Sequence, residues 1–206
     1  MLKQQTTKQE AFPEVASRLE APGQGLPFLE GLIARYILFP IVTRRLSRLA
    51  AIQTLYQTGQ EALSLAKALP PEQLVQRQLI PRFAGIEDSS RYWSVLMTIQ
   101  HLWITGEAMA QMIEKLVQGE RVTTVVRIED VKPNQDESVE TIFSRYERFL
   151  FAYCNRMERL LEGDFTSQRH PHPWFGAINA HQWLCLNALH HQIHLKQIKK
   201  IISHLS

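Results

Sequence analysis

Residues 184–202 read LCLNALHHQIHLKQIKKII. Apolar residues return every three or four positions, the period of a helix with one face in a core. At 100° per residue, Trp183, Leu184, Ile198, Ile201 and Ile202 share that face. His190, His194, Asn187 and His191 fall in the same sector, spread over about 100°. Lys196, Lys199 and Lys200 point elsewhere. The helix therefore turns imidazoles towards the interior. Burying a polar group without a partner costs about 1–3 kcal/mol, so something must satisfy them.

The neighbouring sequence supplies more helices of the same kind. A pattern over 91–117 ends before Gly119, with Asp88, Ser89 and Ser90 as N-cap candidates. Ser138 opens another, SVETIFSRYERFLFAYCNRMERLLEG, ending at Gly163. Residues 28–69 are also helical in pattern, with Pro40 expected to split them near 28–39 and 41–69. Pro70 and Pro71 stop the run. The last helix spans about 179–203. The β-branched run RVTTVVRIEDVKP, 121–133, reads as a short strand or an extended loop. Residues 1–26 read as a poorly ordered arm or a surface-hugging tail. Four substantial helices with little strand and no repeat make an all-α four-helix bundle. The expected organisation is an N-terminal arm and short helix over 1–40 and the bundle over 41–206.

Composition narrows the functional classes. The chain has 206 residues, 45% of them hydrophobic, and a formal charge of +3. That is the balance of a folded domain. The basic residues are scattered, without the dense stripe or module of a nucleic-acid binder. No stretch reaches the ~18–20 apolar residues of a membrane span. The N-terminus lacks the apolar run of a secretory signal. Cys154 and Cys185 do not make a disulfide framework. The expectation is a cytoplasmic protein with no nucleic-acid or membrane partner.

The histidines carry the chemistry. His190 and His194 are one helical turn apart, a spacing at which two imidazoles converge on one ion. His191 and His194, three apart, are an alternative pair. His101 lies in LMTIQHLWITGE, apolar on nearly every side, and is the candidate third ligand. Three histidines leave a fourth position for water or substrate, the open style of a catalytic metal site. No histidine has Glu three positions before it, which argues against a carboxylate-bridged di-iron bundle. His181 and Cys185 fall on the opposite side of the helix from His190 and read as packing residues. Asn187 is placed to orient a ligand or touch substrate. In RHPHPWFGAIN, 169–179, prolines hold His170 and His172 extended, and Trp174 and Phe175 are a candidate pocket wall or a plug for the core.

The order YWSVLMTIQHLW, then a long gap, then HHQIHLKQI resembles the DinB/YfiT-like superfamily of metal-binding four-helix bundles. Trp93–Ser94 and His101 match its first motif. His190, His194, Gln197 and Ile198 match its second. HPWFGAINAHQWL resembles the His-Pro-x-Phe-Gly loop of one branch. The likeness covers roughly 41–203. Ile193 stands where many members have a histidine, and His191 is extra to the pattern. The resemblance implies His101, His190 and His194 as ligands of a divalent transition metal, zinc or nickel. It also implies relatives that are low-molecular-weight-thiol S-transferases, hydrolases or isomerases.

Two functions compete on this reading. One is a metal-dependent enzyme activating a thiol or water for a small-molecule substrate, with S-transfer to or from a small thiol as the first choice. The other is a non-enzymatic bundle, a dimerising or ligand-binding module with structural histidines. Leu186, Leu189 and Ile193 form a second apolar stripe on the last helix. It would serve as a homodimer surface or pack within the bundle.

Overall fold

The computed structural model describes residues 18–120, 122, 131–133 and 137–205. Most of the run over 121–133 lies outside these residues, as do residues 1–17. Four long helices make the bundle: α3 (Arg48–Lys67), α5 (Val95–Val117), α6 (Val139–Arg159) and α7 (Ala180–Ser203). Two short helices, α1 (Phe28–Ile33) and α2 (Phe39–Arg45), precede it, and α4 (Pro71–Val75) follows α3. The all-α expectation and the four-helix bundle hold.

Around the bundle the order is α3, α7, α5, α6, so that α7 packs between α3 and α5. The apolar stripes meet in one core that includes Leu55, Ile99, Leu102, Tyr146, Leu150 and Ile198, all fully buried or nearly so. α7 itself is buried on most of its circumference. Cys185 is fully buried against the Leu46 carbonyl, and the His181 ring donates to the Thr43 carbonyl. Both are packing residues.

Local chemistry sets the helix ends. Ser47 accepts from the Ala50 N–H and Ser138 from the Thr141 N–H. Asn179 and Gln182 form a capping box at the start of α7. α5 corrects the sequence expectation. Its cap is Ser94, accepting from Met97, and Asp88–Ser90 form a short 3-10 turn instead. The three residues before Val95 are not free to be helical. Tyr92 and Trp93 form strand β2, paired antiparallel with β1 (Gln78–Leu79).

Pro40 does not break its helix. Residues 28–45 run on as one helical strap, widened by a π-helical turn at Ala34–Leu38. There the Phe39 N–H reaches back to the Ala34 carbonyl, five residues away. Pro40 then sits in the first turn of α2, where its missing N–H and its ring are tolerated. The break falls later, at extended Leu46. The segment before the strap hugs the surface: Gly23 and Gly25 donate their N–H groups to Glu87, and Glu20 donates its own to Asp88.

The loop leading into α7 is a β-hairpin, with the two histidines extended as their prolines require. Strands β3 (Arg169–His172) and β4 (Gly176–Asn179) pair antiparallel, with His172 opposite Gly176. Pro171 is compatible with this two-stranded ribbon because both strands are edges. No helix among the described residues is long and apolar enough to cross a membrane.

Candidate metal centre

α5 and α7 are neighbours, and they bring His101 onto the same spot as His190 and His194. Each of the three rings offers a ring nitrogen within 4.8 Å of the other two. The ring centroids lie 4.4 to 5.0 Å apart. His101 Nε2 and His190 Nε2 are only 3.2 Å apart. This is close to the edge of about 3.3 Å that a tetrahedral ion with bonds of about 2.0 Å would set.

The surroundings fix which nitrogens face inward. His101 Nδ1 lies 2.9 Å from the Val131 carbonyl. A carbonyl only accepts, so Nδ1 carries the proton and Nε2 keeps its lone pair. His194 Nδ1 likewise donates to Gln197 Oε1 at 2.5 Å. The Gln197 amide N–H in turn donates to the Ser90 carbonyl at 2.7 Å. That orders Gln197 with its oxygen towards His194. His190 Nδ1 is buried and has no hydrogen-bond partner among the described residues. Trp93 walls the group, stacked on His194 and edge-on to His101.

Burial pushes all three imidazoles below their ordinary pKa, His194 to about 4 and the other two well below. Mutual repulsion between the rings adds to this for His101 and His190. The rings are therefore neutral at physiological pH, the form that ligates a metal. Three buried imidazoles with ring nitrogens converging on one spot, two of them held as the tautomer that keeps a lone pair inward, fit a divalent ion.

The three rings form part of the wall of a cavity of about 450 Å³. The hairpin contributes His170, His172, Trp174 and Phe175 to its lining, as a pocket wall rather than a plug. Burial lowers His172 to about 4, and its Nδ1 accepts from the Trp174 N–H. Asn187 and His191 are elsewhere. Both are fully buried and neither lines the cavity. Asn187 donates to the Gly106 carbonyl. His191 donates from Nδ1 to the Asn187 carbonyl and packs against both Tyr146 and Phe149. His191 meets the His190 ring edge-on, 6.3 Å between centroids, but its nitrogens do not join the group of three.

A model of the DinB superfamily matches residues 54–198. The chain belongs to this superfamily. The match spans the bundle and all three histidines, and leaves the strap outside. DinB bundles bind metals, as the geometry above accommodates. No curated protein is matched by this chain.

Sequence reasoning missed several parts of this DinB site. The Val131 and Ser90 carbonyls leave no side-chain signature. Trp93 was visible only as a motif residue. The stripe Leu186, Leu189 and Ile193, which the sequence allows as a partner surface or as packing within the bundle, lines the cavity. Ile193 packs against the backbone at Gly85, where a Cβ would come within 2.9 Å of it.

Proposed function

We propose that this DinB protein is a metal-dependent enzyme, with His101, His190 and His194 holding one divalent ion, zinc or nickel. The observation that carries the reading is the commitment of His101 Nδ1 and His194 Nδ1 as donors. It leaves lone pairs turned towards one another on a cavity wall. Bound there, the ion supplies Lewis acidity that lowers the pKa of a thiol or water to near neutrality. The chain's own residues do the rest. Val131 and Gln197 fix the tautomer and tilt of two ligands. Trp93 shields their outer faces, and the hairpin aromatics narrow the access of water to the cavity. The preferred reaction is S-transfer involving a low-molecular-weight thiol, in a reducing cytoplasm where Cys154 and Cys185 stay free thiols.

Metal content by mass spectrometry tests the site. Wild-type protein should carry about one ion per chain and His194→Ala far less. A chelator should lower the melting temperature of the wild type, since an ion bound only to the folded state stabilises it by mass action. Equal metal content in both proteins, with no chelator effect, would favour the non-enzymatic bundle with structural histidines.

We also infer a homodimer, through the strap and not through α7. The outer face of the strap presents Phe28 and Leu29 at 78% and 71% exposure, with Tyr36 and Ile37 more than half exposed. A row of large apolar side chains this open marks an interaction site on a protein surface.

A further inference from the structure

The cavity beside the three imidazoles is far more apolar than thiol activation requires. Its floor is Leu186, Leu189 and Ile193 of α7. Met109 and Met112 of α5 form a flank, with side chains that adapt to irregular apolar shapes. Leu38, Phe39 and Val42 of the strap form the roof. These last three precede residue 54, where the DinB match begins, so the roof is supplied from outside the matched bundle.

The charged groups at the margin are already engaged. Glu87 accepts from Gly23, Gly25 and Ser89. Glu30 accepts from the Gly85 N–H and from Arg82. Lys132 donates to Ser89. An aliphatic chain needs no counter-charge, and each methylene it buries is favourable. The polar end of the chamber is the imidazole group itself.

We propose that this chamber binds a small molecule with an aliphatic chain and one polar head. The chain lies among Leu186, Leu189, Met109 and Phe39, and the head faces His101, His190 and His194. The direction of the head rests on the metal-site reading above; the placement of the chain does not. The ligand class of the chamber is thus a medium-chain amphiphile.

A series of primary n-alkanols from butanol to decanol, titrated into the full-length zinc-loaded protein by calorimetry, tests this. Kd should fall about fourfold per added methylene until the chamber is full. Leu189→Trp and Met109→Trp, both at half-buried positions, should each weaken decanol at least tenfold at unchanged zinc content. A flat series, or decanol binding unchanged in both folded variants, overturns the proposal. The two readings fail separately. A chain-length slope in a protein that takes up no zinc keeps the chamber and removes the metal. Zinc uptake with a flat series does the reverse.

Discussion

Gln197 shows what one side chain does for the site. It is fully buried and joins His194 to the Ser90 carbonyl in one hydrogen-bonded line. Gln197→Leu keeps the bulk and removes both bonds. Metal affinity should fall about 10- to 100-fold, read by competition with a chromophoric chelator, while the helical circular dichroism stays unchanged. Unaltered affinity would remove Gln197 from the site. The pairing of His190 with His194 was legible because helical spacing alone brings i and i+4 together. Which nitrogen of each ring faces inward was not. That depends on carbonyls of Val131 and Ser90, thirty residues from His101 and over a hundred from Gln197. The same limit explains Asn187 and His191. A helical wheel places them within the apolar sector, but their neighbours decide whether that sector meets a cavity or a core. For these two the neighbours are Gly106, Tyr146 and Phe149.

At the level of elements, the long helices were legible from apolar period and caps. Ser138 and Gly119 mark the ends that the structure has or nearly has. Capping alone does not decide where α5 starts, because Asp88, Ser89, Ser90 and Ser94 are all competent. The pairing of β1 with β2 decides in favour of Ser94. Ser94→Ala should destabilise the protein by about 1 kcal/mol. The change should appear as a lower denaturant midpoint with an unchanged slope. Pro40 and the hairpin failed to declare themselves for a shared reason. Proline reads as a breaker, yet a widened turn tolerates it in the strap and an edge position tolerates Pro171 in β3.

For the molecule as a whole, the bundle was legible and the cavity was not. Its floor and roof come from segments roughly 150 residues apart, so no local pattern could announce it. This is why the α7 stripe reads from sequence equally as a partner surface or as packing. The strap lines the same cavity, and its own outer face is the more open one. Leu29→Glu with Ile37→Glu should turn a dimer into a monomer by light scattering, with metal content unchanged. A monomeric wild type would remove the strap as an interface.

The 3-10 turn at Asp88–Ser90 touches both ends of this design. Its Ser90 carbonyl receives the Gln197 amide that orients His194, and Glu87 beside it holds the backbone of Gly23 and Gly25. Occupancy of the imidazoles and seating of the N-terminal segment therefore draw on one small piece of backbone. Thermodynamic coupling is reciprocal. If an ion on the imidazoles and the seated segment each favour the same conformation of that turn, each tightens the other by an equal factor.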